Sequence, residues 1–117
     1  MSDQTKAQPQ PFAPTTTSIL ALLQAKPGVT RERVMAIMPA EIRATVRLYL
    51  DGKIRQWYSR ADGRGAVFLL ATKDVAEAEA ILESLPLARA HLVDHQYIAV
   101  GPLVPLGLLL GSQPAAQ

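Results

Sequence analysis

Four side chains between residues 58 and 95 carry groups suited to acid–base chemistry: Tyr58, Arg60, Asp94 and His95. A neutral imidazole such as that of His95 accepts a proton readily near pH 7. A solitary carboxyl on a half-buried strand, as expected for Asp94, either pairs with an arginine or has a raised pKa. A tyrosine hydroxyl beside a guanidinium can hold a carboxylate or an enolate oxygen. We therefore treat these four residues as candidate catalytic groups.

Each of these residues also has a structural interpretation. His95 can be a partly buried interface or pocket residue. Tyr58 and Arg60 can form a hydrogen bond at a dimer interface, or Arg60 can pair with Asp94. His91 and His95 would lie more than about 12 Å apart on a strand, so one chain alone cannot place both on a single metal ion. Because the chain has no cysteine, disulfides, zinc–thiolate sites and thiol catalysis are excluded. We expect neither a metal nor a cofactor.

The composition indicates one domain without a nucleic-acid or membrane partner. Of the 117 residues, 49% are hydrophobic and 19% are charged, an ordinary balance for a globular protein. The net charge of +2 is too small to indicate nucleic-acid binding. The first residues lack the pattern of a signal peptide, and the longest apolar runs, 19–23 and 106–110, are far shorter than a membrane span. We expect a cytoplasmic protein.

The chain divides into an arm, a domain and a tail. Residues 1–15 are rich in proline and glutamine, which predicts a disordered arm. We expect the domain to cover residues 16–105 and an apolar, then flexible, tail to cover 106–117. The domain begins with a β-branched and apolar run, 16–25, which favours a strand buried on both faces.

A helical region follows, with Thr30 as its N-cap. Pro39 removes a backbone donor, so the pattern predicts two helices, 30–37 and 39–51. Spacing in the second predicts an inward stripe made of Ile42, Thr45, Val46, Tyr49 and Leu50.

Two strands, a second helix and a last strand complete the pattern. Residues 53–60 alternate as a strand that places Ile54, Gln56, Tyr58 and Arg60 on one face and Trp57 on the other. Asp62-Gly63 predicts a hairpin turn into a strand over 65–72. Asp74 and Glu77 form a capping-box pattern for a helix that must end before Pro86. The last strand is expected from about His91 to Val100, with His95 and Asp94 on opposite faces.

The order β-α-β-β-α-β predicts a ferredoxin-like α+β fold, in which a four-stranded antiparallel sheet has both helices on one face. The other face would expose Val67, Leu69 and Val100, which are too apolar to be left in water. Face-to-face pairing of two sheets covers them, so we expect a homodimer, with higher assemblies left open.

Several short segments also resemble a bacterial subgroup of muconolactone isomerase-like proteins, members of the dimeric α/β-barrel class. The resemblance covers roughly residues 18 to 105. The segments that carry it are Lys26-Pro27-Gly28-Val29-Thr30, Leu48-Tyr49-Leu50-Asp51-Gly52, Trp57-Tyr58-Ser59-Arg60, Gly65-Ala66-Val67, Glu77-Ala78 and Ser84-Leu85-Pro86-Leu87.

The resemblance implies a dimeric barrel and proton transfer that moves a double bond in a lactone, which requires an acid or base at the pocket. In relatives the final strand reads Asp-x-Glu, whereas this chain has Asp94 followed by His95 and Gln96. Ala99 replaces a usual proline, and Ala71 stands where the closer subgroup often has an acid.

Two functions are therefore expected. The first is a small-molecule-binding, cofactor-free isomerase- or monooxygenase-like enzyme that acts on a small anionic or carbonyl compound through the four candidate residues. The second is a non-catalytic, dimeric binding or assembly protein of the same fold. The retained Tyr58, Arg60 and Asp94 favour the first, and the missing carboxylates and the apolar tail favour the second.

Overall fold

The computed structural model describes residues 14–104, which form four strands and three helices. In chain order these are β1 (Ser18–Ala25), α1 (Arg31–Leu50), β2 (Ile54–Ser59), β3 (Gly65–Leu70), α2 (Val75–Glu83), α3 (Pro86–Arg89) and β4 (Val93–Val100). The predicted tail over 106–117, and nearly all of the predicted arm over 1–15, lie outside the described residues.

The strands form one sheet in the order β2-β3-β1-β4. Every neighbouring pair is antiparallel. The predicted α+β class with a four-stranded antiparallel sheet is therefore confirmed, and the arrangement is compatible with the ferredoxin-like class. The last strand begins at Val93 rather than at His91, because His91 has the left-handed backbone conformation (φ 61°) that ends the segment after α3.

The strand register gives the sheet two distinct faces. Ala21 of β1 lies opposite Phe68 of β3 and Tyr97 of β4, and these side chains point toward the helices. The next residue, Leu22, lies opposite Val67 on the other face. The main core forms between the first face and the helices; its buried members are Ile19, Ala21, Ile54, Phe68, Leu70, Ala78, Leu82 and Leu85. We call the second face the open face; its apolar residues are Leu20, Leu22, Val67, Leu69, Ile98 and Val100.

Ile54 does not share a face with Gln56 and Tyr58, which corrects the prediction from simple alternation. The register of β2 against β3 shifts between Ile54 and Gln56. Such an irregularity inserts an extra residue and reverses the direction of the side chains that follow. Ile54 consequently lies in the core, 2% exposed, whereas Gln56 and Tyr58 lie on the open face.

The first helical region is one helix, so the predicted break at Pro39 is wrong. Thr30 caps it as expected, since its hydroxyl accepts a hydrogen bond from the Arg33 N–H at 3.2 Å. A proline inside a helix costs about 3 kcal/mol because it removes one backbone hydrogen bond and crowds the preceding turn. Packing of the turns on both sides of Pro39, through Met38 and Leu48, offsets that cost.

The inward side of α1 also differs from the predicted stripe. Its buried and half-buried residues include Glu41, Ala44 and Leu48. The bulkier apolar residues beside Ala44 on this helix face outward. Of the predicted stripe, Thr45 is half-buried, whereas the others are exposed: Ile42 (54%), Val46 (38%), Tyr49 (41%) and Leu50 (76%).

A short helix, α3, follows Pro86 and was not predicted. Proline at a first helical position already has the required φ, and its missing N–H would have no helical partner. The residue before it, Leu85, has no side chain that can cap the helix. The cap comes instead from Glu41 of α1, whose Oε1 accepts a hydrogen bond from the Leu87 N–H at 2.9 Å. The capping acceptor of α3 is therefore the carboxyl of Glu41, a residue distant in sequence.

The capping box predicted for α2 is only half formed. The Asp74 carboxylate accepts a hydrogen bond from the Ala76 N–H at 3.0 Å, as a capping residue should. Glu77 does not bond back to the Asp74 N–H; its carboxylate accepts the Thr72 hydroxyl at 2.6 Å, and the Asp74 N–H donates to that same Thr72 hydroxyl at 3.2 Å. The Thr72 hydroxyl thus forms hydrogen bonds with both Asp74 and Glu77, which do not bond directly to each other in this way.

Candidate functional site

A cleft of about 1000 Å³ lies between α1 and the helix-facing side of β1, β2 and β3. We call it the α1 cleft. Its walls are largely apolar, with Met38, Ile42 and Val46 from α1, and Trp57, Ala66 and Phe68 from the sheet. Ligand sites are typically concave and apolar with a few placed polar groups, and the α1 cleft has this character.

Glu41 is the acidic residue that lines the α1 cleft. Only 6% of its surface is exposed. Burial raises the pKa of the Glu41 carboxyl, while the hydrogen bond from the Leu87 N–H and the nearby His95 imidazole oppose part of that rise. One carboxyl oxygen is engaged by Leu87. A carboxyl of raised pKa in an apolar cleft has the character of a general acid or base, in addition to its role in capping α3.

Hydroxyl groups flank Glu41 in the same cleft. Thr45 lies one helical turn after Glu41 and lines the cleft, so both side chains are on one side of α1. Ser59, near the end of β2, lines the cleft from the sheet. These hydroxyls can donate hydrogen bonds to a carbonyl or enolate oxygen of a bound molecule.

The β2–β3 hairpin lines the α1 cleft with exposed residues and carries two arginines, Arg60 and Arg64; we call this part of the cleft the mouth. The Arg60 guanidinium contacts the Asp62 carboxylate at 2.7 Å and donates to the Gln24 amide oxygen at 3.4 Å. The hydrogen bond from Arg60 lowers the pKa of Asp62, and the Arg64 backbone N–H at 3.0 Å supports the same effect. At Gly65 a side chain would collide with the backbone of β1, so glycine is required for the hairpin to approach that strand.

His95 lies behind the cleft rather than in its lining. Its side chain is only 1% exposed, and its Nδ1–H donates to the Glu83 carboxylate at 3.2 Å. The Nε2 atom is buried without a hydrogen-bond partner among the described residues, as is the hydroxyl of Tyr97, whose ring centroid lies 5.9 Å from that of His95. Burial, together with Glu83 and Glu79, raises the pKa of Tyr97 to about 12. The buried His95 therefore influences Glu41 electrostatically from the core.

The four candidate catalytic residues do not meet at one point of this chain. Tyr58 and Arg60 line the edge of the α1 cleft, with the Tyr58 hydroxyl donating to Gln56 at 2.9 Å. Asp94 is exposed on the open face, on β4 at the sheet edge opposite β2, which places it about 14 Å from Arg60 across the strands. Within residues 14–104 Arg60 forms its ion pair with Asp62, and His95 points to the helix side.

Glu41 is the functional candidate that the sequence analysis missed, although a signal was available. Val34, Glu41 and Leu48 are spaced seven apart, which places them on one side of a continuous helix. The predicted break at Pro39 and the inward stripe predicted from Ile42 to Leu50 leave Glu41 outside the buried side of the helix.

Comparison with known proteins adds no assignment: no protein-family model matches the chain, and no curated protein matches it. Within residues 14–104 no group of three or more His, Asp or Glu residues could hold a metal ion. Among the helices in that same range, none is long and apolar enough to cross a membrane. The function must therefore be argued from the geometry of the α1 cleft.

Proposed function

We propose that this protein is a cofactor-free enzyme that transfers a proton within a small carbonyl compound bound in the α1 cleft. The observation that carries the proposal is Glu41, a buried carboxyl of raised pKa at the wall of an apolar cleft. Glu41 acts as the base and then as the acid, and no metal or organic cofactor takes part.

The proposed reaction moves a double bond relative to a carbonyl group. The Glu41 carboxylate removes a proton from the carbon between the carbonyl and the double bond, which gives an enolate and a neutral carboxyl. Glu41 then returns the proton to the far end of the former double bond, so no atoms or electrons are gained or lost. A raised pKa strengthens Glu41 as a base at neutral pH, and the apolar walls of the cleft favour binding of an apolar molecule.

The negative charge that forms on the carbonyl oxygen must be stabilised by hydrogen-bond donors. Thr45 supplies a hydroxyl one turn from Glu41, and Ser59 supplies a second from the end of β2. Tyr58 and Arg60 do not take their predicted role in this proposal, because the Tyr58 hydroxyl donates to Gln56 on the open face and the Arg60 guanidinium contacts Asp62. Asp94 lies outside the cleft and takes no part in the proposed reaction, whereas His95 acts on the charge of Glu41 from the core.

The resemblance to muconolactone isomerase-like proteins supports the same class of reaction, because that activity also shifts a double bond by proton transfer. The proposed base does not lie in any of the segments that carry the resemblance. Glu41 on α1, not Asp94 on β4, is the acid that lines the α1 cleft.

A hydrogen-exchange experiment tests the proposal. The full chain is incubated in D₂O with β,γ-unsaturated lactones and β,γ-unsaturated cyclic ketones. Movement of the double bond is followed by NMR, together with deuterium that enters the carbon between the carbonyl and the double bond or the far carbon of the former double bond. We expect exchange that is lost in Glu41→Gln, which keeps an oxygen acceptor for the Leu87 N–H. Glu32→Gln, an exposed acid in the first turn of the same helix, is the matched control. Equal exchange in wild type and Glu41→Gln would contradict the role of Glu41.

We also propose a homodimer in which two open faces pack together as a barrel. The apolar centre of the open face has a polar rim, including Gln56, Tyr58, Asp94 and Gln96. Arg60 and Asp94 lie in one cross-strand row at opposite edges of the sheet. A twofold axis parallel to the strands would bring Arg60 of one protomer over Asp94 of the other. This charge complementarity and the apolar centre favour a second copy of the chain as the partner.

The dimer also supports a second candidate function, a non-catalytic assembly protein. The open face would then be the functional surface, and the α1 cleft would need no ligand. Absence of exchange in every compound, together with a stable dimer in sedimentation, would favour this alternative.

A further inference from the structure

The arrangement of charge along the α1 cleft indicates the shape and polarity of its ligand. We infer that the cleft takes an elongated, mostly apolar molecule with one anionic group, which lies at Arg64 while the opposite end reaches Glu41. This inference rests on the proposed function in that both place the ligand in the α1 cleft, but it adds a ligand class and a recognition residue.

The size of the cleft favours a molecule with a large apolar body. Its volume is about 1000 Å³, at the upper end of the range of about 300–1000 Å³ for sites of drug-sized ligands. A compound with one small ring would fill less of this space than a molecule with a larger body. Trp57, Phe68 and Met38 instead present apolar surface along the length of the cleft, which suits a fused-ring or long-chain body.

The two ends of the cleft differ in charge. Glu41 is buried beside Leu87, where a second carboxylate would meet like charge in apolar surroundings. The mouth carries Arg60 and Arg64 on the hairpin. An anionic group is therefore disfavoured beside Glu41 and favoured at the mouth, which sets the orientation of the ligand.

Arg64, rather than Arg60, is the cation available to a ligand. The Arg60 guanidinium already contacts Asp62 at 2.7 Å and Gln24 at 3.4 Å. Arg64 has no ion-pair partner within residues 14–104, and only its backbone N–H, not its guanidinium, bonds to Asp62. Its guanidinium can therefore form a bidentate contact with a carboxylate at the mouth.

Two fluorescent probes with the same apolar body test this inference. 1-Pyrenebutyrate carries a carboxylate and 1-pyrenebutanol carries a neutral hydroxyl on the same chain and ring system. Each is titrated against the full chain by fluorescence anisotropy at low salt and again at 1 M NaCl. The variant is Arg64→Gln; the control is Arg55→Gln, which removes an exposed arginine of β2 that does not line the cleft.

We expect pyrenebutyrate to bind with a Kd on the order of 10 µM, from the efficiency typical of drug-sized ligands. It should bind about three- to fivefold more tightly than pyrenebutanol, as for one partly exposed ion pair. The preference should disappear in Arg64→Gln and at 1 M NaCl, and should persist in Arg55→Gln.

Three results would overturn the inference: equal affinity for the two probes, a preference that survives in Arg64→Gln, or no binding of either probe. Each can occur while the exchange experiment still shows Glu41-dependent proton transfer, in which case the proposed function stands and only the ligand class falls. Conversely, a preference for the carboxylate probe that depends on Arg64, with no deuterium exchange in any compound, would support the ligand site and contradict the proposed catalysis.

Discussion

Replacing Tyr97 with Phe removes a hydroxyl that the fold buries without a partner. Tyr97 is on the helix-facing side of β4, where its ring packs against the main core. Its hydroxyl has no hydrogen-bond partner among the described residues. The substitution keeps the ring and deletes only the oxygen, so the change in the free energy of unfolding reports on that oxygen.

The expected change is a gain in stability. A buried polar group without a partner costs about 1–3 kcal/mol relative to its hydrated state. Removing the oxygen leaves a small space that offsets part of this gain, so we expect about 1 kcal/mol in favour of Tyr97→Phe. For a domain of this size, a change of about 1 kcal/mol raises the midpoint of thermal unfolding by roughly 4–8 °C.

The gain should grow at alkaline pH. The pKa of Tyr97 is raised to about 12 in the folded chain, above the ordinary value of 10.0. The folded state therefore holds this proton more tightly than the unfolded state, and wild-type stability falls as pH rises through 10.0. The phenylalanine variant has no such proton, so it should lose less stability over the same range.

Thermal and urea unfolding followed by circular dichroism measure both effects. Tyr58→Phe is the matched control, because the Tyr58 residue is 57% exposed and its hydroxyl donates to Gln56 at the surface. That control should change stability by less than about 0.5 kcal/mol. A loss of 1 kcal/mol or more in Tyr97→Phe would refute the reasoning, since it would mean that the hydroxyl has a stabilising partner.

Three further perturbations have defined outcomes. Glu41→Gln should gain stability relative to wild type as pH rises above 4.5, because the raised pKa of Glu41 makes the folded wild type bind its proton more tightly than the unfolded chain does. Urea unfolding at several pH values measures this, and a difference in unfolding free energy between the two proteins that does not change with pH would contradict it. Leu82→Ala should cost about 3–5 kcal/mol because Leu82 is fully buried, whereas Leu50→Ala, at a residue 76% exposed, should cost less than about 0.5 kcal/mol in the same assay. Val67→Lys, on the open face, should convert the proposed homodimer to a monomer in sedimentation, and an unchanged mass would argue against pairing through that face.

Local patterns predicted the strands and their faces well. The alternation of β4 placed His95 and Asp94 on opposite faces, and the register of β4 against β1 agrees. The hairpin at Asp62-Gly63 formed where the turn pattern indicated, with Gly63 at a positive φ of 75°. These features depend on residues that are close in sequence, which is why their types are informative.

The errors come from contacts between distant parts of the chain. Pro39 stayed within a helix because tertiary packing outweighed a local penalty. The short helix after Pro86 depends on Glu41, a residue far from it in sequence, and the pattern around Leu85 contains no cap. Ile54 changed faces because of a register shift that alternation cannot reveal.

The candidate site could be predicted only in part for the same reason. Tyr58 and Arg60 were chosen for their chemistry, and both line the α1 cleft. Glu41 was missed because its burial depends on contacts with parts of the chain distant in sequence, such as the Leu87 N–H. Sequence chemistry thus identified groups at the edge of the cleft but not the acid inside it.

The most direct measurement is a ¹³C NMR titration of the Glu41 side-chain carboxyl in the full chain, assigned by its loss in Glu41→Gln. If Glu41 is the buried acid of a ligand site, its carboxyl should titrate with a midpoint above 4.5, and its resonance should shift when pyrenebutyrate fills the α1 cleft. A midpoint at 4.5 or below, together with a resonance that does not respond to the probe, would contradict both the burial of Glu41 and its place in the site.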